Sequence, residues 1–371
     1  MTGGTLDALH VMASGARAGG ADHVLRLLVE LRAAGLTCAA AVSHDGPLAE
    51  QLGDEGFPVH RVELMRSRFD PTAPWQLGRL LRHTTPRVVH YHGTRAAFFG
   101  AWSRRLGGAH VPTVYSAHGL SFRRVKDGLR QRLFVAVERL ACAAADAVIC
   151  VSQADLVDLR ARGLVRAAAY HVPNGVDLQR FTTRPQSDAR ARLGLPAAGR
   201  VVGTVARLAR EKGVGITLAA MSQVQDVTLV VVGDGPERSH LEREAQRRGL
   251  HARFLGERAD IAELLPAFDV FVLSSLWEGE PVAVLEAMAC GIPVVASATT
   301  GARELLRDGE TGRVVPIGDA EALAAAVTQL LSTPDERRQL AAAARTSIAR
   351  RSHASTARGV LEVYRALLAD C

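Results

Sequence analysis

The sequence predicts an α/β fold with two parallel sheets, one in each half of the chain. With 371 residues the chain exceeds one typical core, so two domains are expected. Short apolar runs alternate with helical patterns throughout, which is typical of parallel βαβ units. A turn signal at Pro173-Asn-Gly175 opens an irregular stretch that lasts until about Arg200, so the linker is expected there.

The first half shows apolar runs bounded by glycine, proline and polar residues. These runs predict strands over 8–12, 38–42, 87–91, 111–115 and 147–151. Helical spacing of apolar residues predicts helices over 21–34, 47–55, 94–106 and 123–145. Gly35 and Gly56 end the first two helices, because glycine readily adopts the conformation that follows a helix.

The second half repeats this alternation, with strands predicted near 201–205, 227–232, 252–255, 270–273, 292–296 and 313–315. The expected domains are 1–174 and 175–350, and a last helix over 351–371 is expected to pack back toward the first domain. Ligands of open α/β sheets bind at the carboxyl ends of the strands. The two halves therefore predict a cleft that the loops after the strands would line.

Composition indicates an ordinary globular protein, with 48% hydrophobic and 22% charged residues. No apolar run is long enough to span a bilayer, and the first residues do not resemble a secretory signal. The five cysteines are scattered without a C-x-x-C pair, so we expect reduced thiols and a cytoplasmic location, with Cys290 as a packed core residue.

The net charge of +7 belongs entirely to the first half. Residues 1–174 contain 21 Lys and Arg against 14 Asp and Glu, whereas residues 175–371 contain 24 of each. A positive field favours anionic partners such as a phospholipid surface or a lipid-linked phosphate. Nucleic acid is not expected, because no recognition module is present and few aromatic residues are available for base stacking.

Two glutamates eight positions apart mark the most informative segment. Glu278 lies in a Gly/Pro loop after the apolar run 270–273, and Glu286 lies in the helix that follows. A strand, a turn and a helix N-terminus form a ready anion site, and the two carboxylates can meet separate sets of sugar hydroxyls. The alternative is a helix with one capping and one solvated glutamate.

This segment resembles the signature of the retaining glycosyltransferases of family 4, which have the GT-B fold of two Rossmann-like domains facing a cleft. The family pattern is a Glu, seven residues, a Glu and then Ala-Met-Ala-Cys-Gly-x-Pro-Val-Val-Ala, matched here from Glu278 to Ala296. Six further segments resemble the family: Gly19-Gly-Ala-Asp-His23, Ser116-Ala-His-Gly119, His171-Val-Pro-Asn-Gly-Val-Asp177, Gly203 to Gly213, Val231-Val-Gly-Asp-Gly-Pro-Glu237, and Phe254-Leu-Gly256.

The resemblance implies a nucleotide-sugar donor held by the second domain. Arg207 and Lys212 would hold the diphosphate and stabilise its departure, Arg207 as a fork and Lys212 as a point charge. Only Lys126 and Lys212 are lysines, against 43 arginines, so a lysine at the family's phosphate position is unlikely to be an accident. The alternative is a pair of solvated surface cations.

Other donor contacts are implied around these residues. Glu278 would orient the donor through sugar hydroxyls, and Glu286 would hold the ribose. The remaining donor-binding positions are Gly19, Gly20, Gly233, Phe254, Gly279, Glu280 and Pro281. Glu280 departs from the family, which usually has an apolar residue there, and Ala302 and Arg303 depart as well, so no role is carried onto those two.

His118, between Ala117 and Gly119, is implied near the reacting sugar carbon. His92 is a second pocket candidate, although a lone histidine is more often structural. A site with two histidine ligands is conceivable, but no metal and no other cofactor is expected.

A basic amphipathic segment within 123–145 is the remaining partner signal. It clusters Arg123, Arg124, Lys126, Arg130 and Arg132 with apolar residues at helical spacing. Such a helix can lie on an anionic membrane, and packing in the core with a solvated basic face is an equal alternative.

The resemblance implies a hexosyltransferase that retains configuration and uses a nucleotide sugar, with a UDP-sugar favoured. The acceptor is expected to be a glycan or a lipid-linked molecule bound by the first domain. Cell-surface polysaccharide or glycolipid synthesis is the expected role, with the protein peripheral on the inner membrane face. The alternatives are a nucleotide-sugar epimerase of the same fold, a pyridoxal-phosphate phosphorylase, and a non-catalytic nucleotide-sugar-binding protein at the membrane.

Overall fold

The computed structural model describes residues 6–15, 19–43, 46–62, 64, 72–106, 111–124 and 128–369. The chain forms two compact units. The N-terminal unit comprises Met1–Asn174 with His353–Cys371, and the C-terminal unit is Gly175–Ser352. The sequence had indicated boundaries after residues 174 and 350.

The N-terminal unit alternates strands and helices along its first 171 residues. Its elements are β1 (Ala8–Met12), α1 (Gly19–Ala33), β2 (Cys38–Val42), α2 (Leu48–Asp54), β3 (Val59–Arg61), α3 (Thr72–Thr84), β4 (Val88–His92), α4 (Thr94–Arg105), β5 (Thr113–Ala117), a 3₁₀ helix (Ser121–Arg124), α5 (Leu129–Ala143), β6 (Ala147–Cys150), α6 (Gln153–Ala161) and β7 (Ala168–His171).

The strands among these described residues form one parallel sheet in the order β3-β2-β1-β4-β5-β6-β7. Side chains alternate between its two faces, so Leu9 and Val11 of β1 join one apolar cluster and Ala8 joins the other. Chain order reverses between β1 and β4, which is the topological switch point where open α/β sheets bind ligands.

The C-terminal unit is described throughout. Its elements are α7 (Gln186–Arg192), β8 (Arg200–Val205), a 3₁₀ turn (Arg210–Lys212), α8 (Val214–Met221), β9 (Val227–Val232), α9 (Arg238–Arg247), β10 (Ala252–Phe254), α10 (Ile261–Leu264), a 3₁₀ turn (Leu265–Ala267), β11 (Val270–Leu273), α11 (Val282–Ala289), β12 (Val294–Ser297), α12 (Thr300–Leu305), β13 (Arg313–Val315), α13 (Ala320–Ser332) and α14 (Pro334–Ser347).

The strands of this unit form a second parallel sheet in the order β10-β9-β8-β11-β12-β13. Helices cover both faces, with α8, α9 and α13 in one apolar cluster and α7, α11 and α14 in the other. The switch point here lies between β8 and β11. Each unit is therefore a three-layer α/β domain of the Rossmann-like type.

The last helix, α15 (His353–Ala369), belongs to the N-terminal unit. Its buried residues include Ala357, Val360 and Tyr364, which join the apolar cluster formed with α1. The Thr356 hydroxyl donates to the Pro173 carbonyl over 2.9 Å, which fixes the start of the helix. Among the described residues, none of the helices combines the length and hydropathy needed to cross a bilayer.

The long helix expected over 123–145 is wrong. A 3₁₀ helix ends at Arg124, and α5 starts at Leu129 after Gly128, whose φ of 88° is incompatible with a continuous helix. The edge strands β3 and β7 were not expected. Both are largely half-exposed or exposed, so their sequences lack the apolar run that a central strand requires.

Candidate active site

An ion pair occupies the switch point of the C-terminal unit. Lys212 follows β8 and Glu278 follows β11, and the Lys212 Nζ lies 2.5 Å from Glu278 Oε1. The same carboxylate oxygen accepts a hydrogen bond from the Ser275 hydroxyl at 2.7 Å. The Glu278 side chain is 9% exposed and that of Lys212 is 26% exposed, so solvent reaches mainly the cation.

Backbone contacts hold these two loops against each other. Gly213, with a φ of 61°, lies so close to the Ser274 carbonyl that a β-carbon would clash with it. The Ser274 hydroxyl donates to the Gly213 carbonyl at 2.8 Å, and the Leu276 amide donates to the Glu211 carbonyl at 2.9 Å. The contact between Lys212 and Glu278 is therefore set by main-chain packing and not only by charge.

Arg207, the second expected phosphate ligand, is also ion-paired. Its guanidinium contacts the Glu211 carboxylate four residues later, and the Arg207 side chain is 48% exposed. An exposed pair of this kind contributes little to stability, so an incoming anion can displace the glutamate at low cost.

The loop before α11 turns its carboxylate away from solvent. Glu280 is ion-paired with Arg351, and its side chain is fully buried. Gly301, in α12, approaches the Gly279 carbonyl too closely to accept a β-carbon. The Glu280 carboxylate is therefore held inside the C-terminal unit, and Pro281 caps the helix that starts at Val282.

Glu286 lies half-buried on α11, eight residues after Glu278. Cys290, at the end of the same helix, is buried as expected, and burial raises the pKa of its thiol to about 12. The thiol therefore stays protonated at neutral pH and acts as a packing group.

The two base-side positions lie after β9 and within β10. Gly233, with a φ of 129°, donates its amide to the Gly256 carbonyl at 2.7 Å and packs against the Ala206 carbonyl. The Phe254 side chain packs partly against the apolar cluster of α8, α9 and α13. Backbone groups therefore fix the conformation of the loop that follows β9.

In the N-terminal unit, Gly19 and Gly20 form the first turn of α1, two residues before the expected helix start. The amides of a first turn lack intrahelical partners, which suits an anion. His23, in the next turn, packs edge-on against His118 with ring centroids 4.9 Å apart. The glycine pair and His118 therefore belong to one region of this unit.

His118 is the end of a chain of hydrogen-bonded imidazoles. Its Nε2 lies 3.2 Å from His92 Nδ1, and His92 Nε2 lies 3.0 Å from His10 Nδ1. Both nitrogens of His92 are thus engaged, and neighbouring rings stack nearly parallel.

The chain continues into the interior through α15. Tyr364 links His10 Nε2, at 3.4 Å, to His90 Nδ1, at 2.7 Å. His90 Nε2 then reaches the Ser116 hydroxyl at 2.7 Å. When the imidazoles are uncharged, both the donor and the acceptor of every hydrogen bond in this series are neutral.

Burial keeps these imidazoles neutral. It lowers the pKa of His118 to about 4 and that of His10 to about 3, because the charged ring would lose its hydration. Burial and the neighbouring histidines together hold the pKa values of His23, His90 and His92 well below the ordinary value.

Fewer basic residues of the segment 123–145 are available to an outside partner than the sequence indicated. Arg123 is 21% exposed and ion-paired with Asp155 and Asp158, both at 3.2 Å, so its charge is satisfied inside the protein. Lys126 and the side chain of Arg124 lie outside the described residues. Four exposed residues of the first turns of α5 remain for an outside partner: Leu129, Arg130, Arg132 and Leu133.

Sequence reasoning missed several residues of these clusters. Ser275 lies two residues after the end of β11, and that position was its available signal. Arg351, His10 and Tyr364 had no local signal, because each meets its partner only through contacts 71 to 354 positions apart in the chain. His23 was noted only as part of a glycine-containing motif.

Comparisons with known proteins place both units in one group of enzymes. The family model for glycosyl transferases group 1 matches residues 185–347, and the model for Glycosyltransferase Family 4 matches residues 17–180. The phosphatidyl-myo-inositol mannosyltransferase of Mycobacterium leprae is 31% identical over 361 residues, covering 92% of this chain and 91% of that protein.

Two further relatives differ in their nucleotide. The GDP-mannose-dependent alpha-mannosyltransferase of Mycobacterium tuberculosis is 32% identical, covering 90% of this chain and 89% of that protein. The crystal structure of Anabaena HepE in complex with UDP and glucose superposes with a TM-score of 0.86 at 25% identity, covering 97% of this chain and 100% of that one. Both units thus match the GT-B architecture.

Proposed function

The chain belongs to the family 4 glycosyltransferases, and we propose that it transfers a hexose, with retention of configuration, from a nucleotide diphosphate sugar to a glycan or lipid-linked acceptor. The observation that carries the proposal is the pair Lys212–Glu278 at the switch point of the C-terminal unit. It provides a cation for a departing phosphate beside a carboxylate for sugar hydroxyls.

The two cations of this unit would hold the donor diphosphate. Lys212 forms an ion pair with Glu278, and Arg207 forms one with Glu211. These ion pairs hold the two cations in place before the donor binds. The phosphate would replace Glu211 on the Arg207 fork and share Lys212 with Glu278. Fixed positive charge then stabilises the charge that develops on the leaving oxygen without reorganisation.

The carboxylates would select the sugar side of the donor. Glu278 would accept hydrogen bonds from hexose hydroxyls, with Ser275 and Lys212 fixing the orientation of the carboxylate. Glu286 would hold the ribose hydroxyls. The backbone of Gly279, Glu280 and Pro281 would face the sugar, and Gly233 and Phe254 would border the base.

The N-terminal unit would bind the acceptor and complete the reacting centre. His118, kept neutral by burial, offers a hydrogen bond without a competing positive charge near the sugar carbon. The amides of Gly19 and Gly20, in the first turn of α1, would bind a donor phosphate oxygen. The proposed attack is from the face of the leaving group, with no covalent enzyme nucleophile, no metal and no other cofactor.

For the base of the donor we propose uridine, with guanosine as the second candidate. The structural relative HepE, with UDP and glucose, supports the first, whereas the mycobacterial GDP-mannose-dependent enzyme supports the second. The mannosyltransferase that acts on phosphatidyl-myo-inositol supports a lipid-linked acceptor and a role in cell-surface polysaccharide or glycolipid synthesis.

For the location we propose peripheral attachment to the inner face of the cell membrane. Leu129 is 84% exposed and Leu133 57% exposed, and they flank Arg130 and Arg132 at the start of α5. Apolar insertion with adjacent cations suits an anionic surface. Sedimentation with vesicles of phosphatidylglycerol across a salt series tests this, and absence from the pellet at low salt would contradict it.

A donor panel tests the central proposal. Thermal-shift measurements with UDP-hexoses and GDP-mannose should show one base that raises the melting temperature, because a ligand bound only by the folded state stabilises it. The chosen donor is then incubated with lipid extracts, and the anomeric configuration of the product is read by NMR. Inverted product, or sugar isomerisation without acceptor, would refute retaining transfer.

A further inference from the structure

Three histidines come together at the switch point of the N-terminal unit. His23 lies on α1, His92 ends β4, and His118 follows β5, and one ring nitrogen of each lies within 4.8 Å of the other two. His23 and His92 are buried, whereas His118 is half-buried at the edge of the cluster. His118 is therefore the most solvent-accessible member of the cluster.

The spacing of two of these nitrogens is close to that of a metal site. His92 Nδ1 and His118 Nε2 lie 3.2 Å apart. Two nitrogens bound tetrahedrally at about 2.0–2.1 Å from zinc lie roughly 3.3–3.4 Å apart. The pair needs little adjustment, and the His23 ring has to move toward it on binding.

The hydrogen bonds behind His92 are compatible with a metal-binding tautomer. If His92 carries its proton on Nε2, it donates to His10 Nδ1 at 3.0 Å, and its Nδ1 lone pair faces His118 Nε2 at 3.2 Å, a contact that a metal ion would replace. His10 then donates from Nε2 to the Tyr364 oxygen, which in turn donates to His90 Nδ1 at 2.7 Å. The reversed orientation satisfies the series as well, and metal binding would select the one that leaves Nδ1 of His92 unprotonated.

This series has the form of an outer shell around a metal ligand. A metal-bound histidine usually donates its other ring N–H to a fixed acceptor, which sets its tautomer and raises its basicity. Here the acceptor His10 is 1% exposed and is itself held by Tyr364 of α15. A ring nitrogen binds a metal ion only when it carries no proton, so the ion would compete with protons at this cluster.

We propose that His23, His92 and His118 form a binding site for a transition-metal ion of the zinc type, with three imidazole ligands and an open fourth position. The candidate metal clusters found among the described residues contain only histidines. Imidazole nitrogen suits Zn²⁺, Co²⁺, Ni²⁺ or Cu²⁺, whereas Mg²⁺ and Ca²⁺ require oxygen ligands.

The site also implies regulation of transfer, a consequence that rests on the proposed function of His118. A metal ion bound to His118 Nε2 would prevent that ring from hydrogen bonding to the reacting sugar. It would also place positive charge beside the oxocarbenium centre that develops during transfer. Transfer without metal is then the active state, and zinc is an inhibitor. Removal of the cation with a chelator restores the rate.

Cobalt binding to the full chain tests the site independently of activity. Tetrahedral Co²⁺ gives intense visible absorption bands, so titration of the purified chain should produce them at about one equivalent. His23→Ala should weaken Co²⁺ binding by at least about 10-fold, and the control His251→Ala, an exposed histidine of the C-terminal unit, should not. Tyr364→Phe should weaken binding about 10-fold, because it interrupts the outer shell.

The outcomes separate the site from its consequence. No visible bands, or unchanged bands in His23→Ala, would overturn the metal site. If His23→Ala fails to fold by circular dichroism, His118→Ala, at a half-buried position, provides the same test. Tight cobalt binding without loss of transfer would leave the site standing and instead refute the role of His118 in the reaction.

Discussion

The two units place polar clusters at equivalent points of similar sheets but build them from different chemistry. In the N-terminal unit, the switch point between β1 and β4 holds neutral imidazoles whose pKa values are lowered by burial. In the C-terminal unit, the switch point between β8 and β11 holds the ion pair Lys212–Glu278, with its cation partly exposed.

Solvent access explains this difference. A buried ionisable group without a counter-ion loses more hydration than it regains, so it becomes neutral, as the histidines do. Lys212 and Arg207 keep some contact with water, and each forms an ion pair with a carboxylate neighbour. A site for a diphosphate needs standing positive charge, whereas a site beside a developing cation benefits from neutral donors and acceptors.

The largest effect is expected from the backbone that aligns the charged cluster. Gly213→Ala should destabilise the C-terminal unit by about 3 kcal/mol, because alanine is strained at a φ of 61° and its β-carbon meets the Ser274 carbonyl. The control Gly194→Ala, with a φ of 57° and open space, should cost only about 1 kcal/mol. Amide hydrogen exchange of β8 and β11 measures both, and equal effects would contradict the close approach.

Removing the cation tests the charged cluster directly. Lys212→Ala should cost at least about 2 kcal/mol of transition-state stabilisation, roughly 30-fold in kcat/KM, because leaving-group charge is no longer neutralised. Arg210→Ala removes an exposed cation from the same 3₁₀ turn and serves as the matched control. Steady-state transfer assays compare the two, and near-normal turnover of Lys212→Ala would refute its role.

The N-terminal unit also contains a buried carboxyl, Glu138, whose titration should make stability depend on pH. Burial raises the pKa of Glu138, although hydrogen bonds from Tyr115, Thr94 and Ser121 partly oppose this. The folded state then holds a proton that the unfolded state releases above its pKa of 4.5. The contribution of Glu138 to the free energy of unfolding is fully present below that pH. It decreases as the pH rises toward the folded-state pKa, by up to about 1.4 kcal/mol per pH unit.

Glu138→Gln removes this titration while keeping the size of the side chain. As the pH rises from about 5 to about 7.5, the unfolding free energy of the parent chain should therefore decrease relative to that of the variant. Hydrogen exchange of β5 and α5 at both pH values measures it. A difference that is constant with pH would show that the carboxyl has an ordinary pKa.

The smallest effect concerns the hydroxyl beside the charged pair. Ser275→Ala removes one hydrogen bond to Glu278 and should lower kcat/KM by about 1 kcal/mol, roughly five-fold, through a less fixed carboxylate. Ser222→Ala, whose hydroxyl contacts only the Ala219 carbonyl in the described hydrogen bonds, is the control. An effect larger than that of Lys212→Ala would reverse the order of importance proposed here.

The local pattern of apolar residues predicted the central strands well. It predicted the edge strands and the interruption before α5 poorly. The strands β1, β2, β9 and β11 lie where apolar runs predicted them, because a central parallel strand is buried on both faces. The half-exposed edge strand β3 carries no such run. The helix interruption at Gly128 before α5 was not recognised, because apolar residues lie on both sides of it in the sequence. Lys212 and Glu278 were expected from motif resemblance, whereas their 2.5 Å contact was not.

The sequence by itself determined the alternation of strands and helices, the linker near Asn174 and the residue types of the charged cluster, since these depend on periodicity and on motifs of neighbouring residues. Only the tertiary structure decided which charges meet and which groups are neutral. Arg123 turned inward to two aspartates, Glu280 paired with Arg351, and His10 joined Tyr364, 354 positions away. Pairing and burial are properties of three-dimensional neighbours, and no local pattern in the chain encodes them.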